Sequence, residues 1–475
     1  MPLLDLSNEL LNEIAMHLIP SMDGDLASYV PDPDIAVCRI TLLSLAKTNR
    51  RLNATAIRHL YHTVCIDDLH MLFALLRTFI LNDDLADMVR VLSVFASLNE
   101  DLDPDTDEMS EQMFAGLTPD LKAHQFLGYC FEDMDSMEAS DLTWTNCDNY
   151  PQSACALLLY LTGKLEALYL HLPPWNAGDY RFINGVFEES SRGRETQDTP
   201  AFVPNLSSLS LTADPRASDP RLDSDVPQCL MGNQGIKNLE IFGATLLHDK
   251  AGNFGDLLPA RWSSLETIRL PYVCTRGIWL HHMCEVARPR LKRIEIWLSP
   301  RLDQRAESDT GPGYDQAFLL CADSLEHLKL GSRLVNSLPC LPSLLRLRSL
   351  ELSVTDIFPT ADAMRGADIC DHFPPSLRSL FLVDDLWEPW EHSGSPVAEE
   401  EYASLLKAAF SRLLLGSGKK LPRLRDVCVQ VTASSWGDYH EKSTEIRHLC
   451  TASPQFGGPF RVSGVTVQAT ESDAE

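Results

Sequence analysis

The 475 residues are enough for more than one cooperative unit, or for one elongated repeat array behind a small head, and 44% hydrophobic with 23% charged residues is the composition of a chain that buries a core. A net charge of -27 and a pI near 4.8 argue against a nucleic-acid partner, because phosphate binding needs clustered Lys and Arg. No stretch approaches the ~20 uncharged apolar residues of a membrane span, so no membrane partner is expected.

The N-terminus, MPLLDLSNELLNE, carries acids where a secretory signal carries bases, which reads as a cytoplasmic or nuclear protein. Thirteen cysteines without a CxxC pair fit buried thiols in a reducing compartment rather than a disulfide framework. Leu6, Leu10, Leu11, Ile14 and Leu18 share one helix face, with Ser7 as its N-cap. A breaker-rich interval, 20–33, separates this helix from a second apolar run at Ile40–Ala46 and a third at Ala54–Tyr61. Three helices in about sixty residues bury too little to be very stable alone, so a partner helix on their exposed stripe is expected.

Leu6-Ser7-Asn8-Glu9-Leu10-Leu11-Asn12-Glu13-Ile14 resembles the opening "L-P-x-E-L-L-x-x-I" of the F-box. Leu42-Leu43-Ser44-Leu45-Ala46-Lys47-Thr48-Asn49-Arg50-Arg51-Leu52, with Leu60-Tyr61, is similar to its close. Ser7 stands for the usual Pro, Asn49 for the usual Cys, and the first linker is longer than usual. The resemblance implies a non-catalytic receptor that docks the Skp-type linker and cullin of an SCF ubiquitin ligase. Leu6, Glu9, Leu10, Ile14, Leu42, Leu45, Arg50 and Leu60 would be the linker-binding residues. If the linker is acidic, as the resemblance implies, the base-only run Arg39, Lys47, Arg50, Arg51, Arg58 would speed docking.

Residues 65–98 read as a connecting helix and a first atypical repeat, Val89-Arg90-Val91-Leu92-Ser93-Val94. From 99 to 141, thirteen acids against Lys122 alone read as a solvated insertion. Over 142–435 a Leu-x-x-Leu-x-Leu template begins at Leu165, Leu206, Ile236, Leu265, Leu291, Leu325, Leu347, Leu377 and Leu424. Turn residues or charges precede most copies, and helix-like runs precede several: Cys155–Leu161, Ile278–Ala287, Gln316–Cys321 and Ala403–Leu415, the last with Gly416 as C-cap. Helix, turn, strand is the unit. Its irregular spacing resembles the fungal-type leucine-rich repeats of F-box proteins.

The expected fold is therefore α/β: a three-helix F-box over 1–64, then an irregular leucine-rich-repeat solenoid with parallel strands on one face and helices on the other. A two-layer α/β fold without repeats is the alternative. Residues 436–475 form a C-terminal segment ending in an acidic tail.

Strand alternation points the residues between the template's aliphatics outward, giving Tyr169, His171, Phe242, Arg269, Arg293, Trp297, His327, Lys329 and Phe381 as target-binding candidates for an unidentified protein substrate. No catalytic, metal or cofactor site is expected. Gly416-Ser417-Gly418-Lys419-Lys420 lacks the first glycine and the hydroxyl of a phosphate loop, and His281-His282-Met283-Cys284 lacks a second ligand pair. The alternative function is a repeat scaffold outside any ligase, capped by its N-terminal helices.

Overall fold

The computed structural model describes residues 6–19, 33–94, 150–172, 203, 205–213, 235–243, 245–246, 260–275, 277–298, 313–331, 338–358, 364–365, 368–384 and 399–431. The acidic insertion at 99–141 and the C-terminal segment from 436 lie outside them. Two compact units divide the chain, Met1–Ala244 and Thr245–Glu475.

The first unit opens with helices α1 (Asn8–Met16), α2 (Pro33–Thr48) and α3 (Arg50–Leu60). Side-chain caps start two of them: Ser7 accepts from the Leu10 amide and Asn49 from the Leu52 amide. Ala15, Leu42, Ala46 and Ala56 form their small common core, with Leu18, Leu45 and Leu60 packed against it. So many alanines let the helices approach closely but bury little area.

Strand β1 (Thr63–Ile66) follows directly, then α4 (Leu69–Leu81), α5 (Asp83–Ala86) and β2 (Val91–Val94). A boundary at residue 64 would therefore cut β1, because only two residues separate the end of α3 from the start of the first strand. Helix α6 (Tyr150–Leu161) packs on α4, and β3 (Ala167–Leu172), β4 (Ser208–Ala213) and β5 (Asn238–Phe242) complete a sheet paired in chain order, all parallel.

In the second unit β6 (Thr245–Leu246) pairs with β7 (Thr267–Thr275), which leads through β8 (Arg293–Leu298), β9 (His327–Gly331), β10 (Ser349–Ser353) and β11 (Ser379–Asp384) to β12 (Asp426–Val431). These pairs are parallel and again in chain order. Helices α7 (Gly277–Ala287), α8 (Tyr314–Leu320), α9 (Val354–Ile357) and α10 (Glu399–Lys420) fall between strands.

Each unit is thus an α/β array of solenoid-like connectivity. Within each, the template copies align: the residue two after each start pairs with its counterpart, Val91 with Ala167, Ser208 and Asn238 in the first unit, and Thr267 with Arg293, His327, Ser349, Ser379 and Asp426 in the second. Leu165, Leu206, Leu265, Leu291, Leu325, Leu347 and Leu377 are fully buried at the first position, and the two later aliphatics stack behind them. Each aliphatic side chain so buried is worth about 1.5–3 kcal/mol toward folding.

Gly416 does not cap a helix. Helix α10 runs through it to Lys420, because a Cβ at 416 would lie 2.9 Å from Cys370 Sγ and glycine allows the helix to close on the short turn Ile369–His372. Among the described residues no helix is long and apolar enough to cross a membrane.

Candidate functional site

Two surfaces follow from this arrangement. On α1 Leu11 and Ala15 are buried, leaving Leu10 and Ile14 one turn apart and outward, 52% and 41% exposed. Arg51 holds α1 to α3, donating to the Leu6 carbonyl at 2.6 Å and to Asn8 Oδ1 at 2.7 Å; His59 Nε2 lies 2.9 Å from Asn12 Oδ1. Glu9 is exposed at the start of α1, and hydrogen bonds from its backbone amide and the Ser7 hydroxyl hold its carboxyl below the usual range.

Of the other expected linker-binding residues, Arg50 is exposed while Leu6, Leu45 and Leu60 are half-buried. Leu42 is a correction. It is 1% exposed at the centre of the helical core, so it supports the surface from behind rather than forming it. Sequence reasoning missed Met16, Val37, Ile40 and Leu43, all exposed and apolar. Helix α2 mixes apolar and polar residues around its circumference, so its overall pattern does not separate an outer stripe from an inner one. A three-residue spacing, 37, 40, 43, is the signal that could have found them.

The second surface is the non-core face of the second unit's sheet. Here Arg269, Glu295, Lys329, Glu351 and Phe381 occupy one row on five successive strands. Arg269 reaches Glu295 at 2.8 Å and Lys329 reaches Glu351 at 2.9 Å. Arg293 also pairs with Glu295, whose side chain is only 3% exposed between the two guanidiniums. The bases among the expected target-binding residues Arg269, Arg293 and Lys329 thus stand paired with acids on the same face. The acids at the same alternation positions neutralise them, and in the first unit Glu240 stands at the matching position and accepts a hydrogen bond from the Ser210 hydroxyl at 3.1 Å.

Trp297 is half-buried at the end of β8, between the register shift of β7 near Tyr272, whose φ is 55°, and Gly331 of β9. Lys329 Nζ stands 4.7 Å from its ring centroid. His327 lies beside Arg293 in the register with part of its ring shielded from water, and Phe381 is half-buried. Burial first, then the charge of Arg293, pushes the His327 imidazole below its usual range.

In the first unit Tyr169 is half-buried between Ser93 and Ser210, while the side chain of His171 lies outside the described residues. Phe242 is a second correction. Only 8% exposed, it ends β5 just before Gly243, whose φ of 69° turns the backbone so that strand alternation no longer sets its exposure. Phe242 is packing, not part of an open face.

The His281–Cys284 segment lies on α7 with Cys284 fully buried beside Cys321, and among the described residues no three His, Cys, Asp or Glu side chains are grouped to hold a metal ion. Neither a protein-family model nor a curated protein matches the chain.

Proposed function

We propose that the chain is a non-catalytic substrate receptor of an SCF-type cullin-RING ubiquitin ligase, its F-box-like helices docking a Skp-type linker and its leucine-rich-repeat face holding a protein target. The observation that carries the reading is the exposed pair Leu10 and Ile14, set outward on a small helical unit whose sequence resembles the F-box. Covering a Leu or Ile side chain from water is worth about 1.5–3 kcal/mol when complete, and these two, half exposed, retain a large share of that for a partner. The mechanism is proximity. A receptor that holds its target beside a separate conjugating enzyme raises effective concentration and needs no reacting group of its own.

A rival reading makes the helices an N-terminal cap on a scaffold. Two contacts favour it: Arg39 donates to Met71 Sδ at 3.8 Å, and the Tyr61 and Phe79 rings lie 6.0 Å apart, tying the helices to α4.

The test is capture of purified Skp-type linker and cullin by the full chain and by Leu10→Glu/Ile14→Glu. The ligase reading expects capture by the first and loss by the second, with unchanged circular dichroism. Capture that survives the double substitution, or none by the native chain, overturns it.

A further inference from the structure

We propose that the leading edge of β10–β12 binds an acidic peptide segment through Arg346, Arg348, Arg378, Arg423 and Arg425. The inference starts from one row of the second unit, the residue after each template start, which enters the strand at the sheet's edge. Along it stand Glu266, Lys292, Glu326, Arg348, Arg378 and Arg425, each backbone amide bonded to the carbonyl of the residue before it in the row at 2.8 Å.

The first four neutralise one another across strands. Glu266 pairs with Lys292 at 2.6 Å and Glu326 with Arg348 at 2.8 Å. The same row in the first unit does so too, Arg90 meeting Glu166 at 3.4 Å. The alternation then stops. Arg378 and Arg425 follow Arg348 with no acid between them, and Arg346 and Arg423 repeat the charge two residues earlier in the preceding turns.

All five arginines are exposed, and among the described residues no carboxylate pairs with Arg346, Arg378, Arg423 or Arg425. Asp426, next to Arg425, is the acid nearest in sequence and forms no ion pair with them either. Like charges side by side on adjacent strands are destabilising. In a chain of net charge -27 with acids to spare, such a column is complementary to an anion that arrives from outside.

The footprint favours a peptide. Arg348, Arg378 and Arg425 span two strand spacings, about 10 Å, which an extended chain covers in about three residues. Leu345, 63% exposed beside Arg346, adds an apolar contact that a side chain can use and a phosphate backbone cannot. A long polyanion would also meet repulsion from the rest of this acidic surface.

The test uses the full chain and a fluorescein-labelled peptide of alternating glutamate and serine, read by anisotropy. Binding is expected to weaken from about 50 to about 300 mM salt. It should weaken about tenfold or more in Arg378→Glu/Arg425→Glu, and less in Arg378→Gln/Arg425→Gln, which keeps the fold check independent of charge reversal. An alternating lysine and serine peptide should not bind. Acidic-peptide binding equal in native and substituted chains overturns the site, as does none above the lysine control. A single-stranded oligonucleotide of equal charge that binds more tightly than the peptide overturns the choice of ligand. Loss of linker capture in Leu10→Glu/Ile14→Glu leaves this result untouched, so the two proposals fail separately.

Discussion

The indole of Trp297 occupies the space that a side chain on Gly331 would take. A Cβ at 331 would lie 1.9 Å from Trp297 Cδ1 and 2.7 Å from Cγ, while Lys329 holds its ammonium 4.7 Å from the same ring. The two residues are direct partners in the β8–β9 register, so neither can shift without breaking the ladder.

Gly331→Ala is therefore expected to force the indole off its seat and lower stability by about 1–3 kcal/mol in urea unfolding. Adding Trp297→Ala should recover part of that loss, because the clash disappears with the ring. Strictly additive losses in the double variant would show that the two side chains do not meet.

Much of the fold was legible because one rule, apolar residues at three fixed offsets, acts identically in each copy. Leu165, Leu206, Leu291 and Leu377 read as equivalent positions and are buried alike. The template missed the first strand, since Tyr61 stands where the aliphatic start should be and packs on Phe79 instead. Exposure was harder to read than position. Phe242 has the right parity but ends its strand at a turn, and Gly416 looked like a stop signal where it serves close approach. The candidate face was read from its bases and aromatics alone, so Glu295 and Glu351, which set its charge, were passed over though they share the same offset. Pairing across strands 26 residues or so apart has no local signature.

Glu295 ought to be the costliest single polar change on that face. Its carboxylate is enclosed by Arg269 and Arg293, so Glu295→Gln removes the charge that two guanidiniums share, one of them 28% exposed. Breaking a buried pair from its enclosed side costs about 3–5 kcal/mol, and partial exposure of the arginines places this case at the lower end. Arg293→Gln, whose side chain is 53% exposed and leaves Glu295 still paired with Arg269, should cost under about 1 kcal/mol. Chemical denaturation of the two variants separates them; equal losses would mean that Glu295 is not shared.

His327 offers a pH test of the same cluster. Its imidazole is held below the ordinary value of 6.5 by burial first and by Arg293 second, with Glu326 and Glu295 acting the other way. A base depressed in the fold binds its proton more readily when unfolded. Its contribution to stability is thus complete above pH 6.5 and is lost as pH falls through and below that value. Arg293→Gln should raise the His327 midpoint toward 6.5 without reaching it, since burial remains. The proton resonance, assigned with His327→Gln, reports this, and a midpoint that does not move would remove Arg293 as a cause.

Leu10 and Leu11 are neighbours in sequence and opposites in place. Leu11 is 3% exposed beneath α1, and Leu10, one position earlier, is 52% exposed on its outer side. Leu11→Ala removes methyl groups that α1 buries, so about 2–4 kcal/mol of stability should go with it. Leu10→Ala should change stability by no more than about 0.5 kcal/mol, as surface substitutions do. Linker capture, on the proposed function, should show a different split. It weakens for Leu10→Ala in a chain that melts like the native one, and for Leu11→Ala it is restored when temperature or added osmolyte restores the helices. A Leu10→Ala variant that melts early would place Leu10 in the core and dissolve the docking stripe on α1.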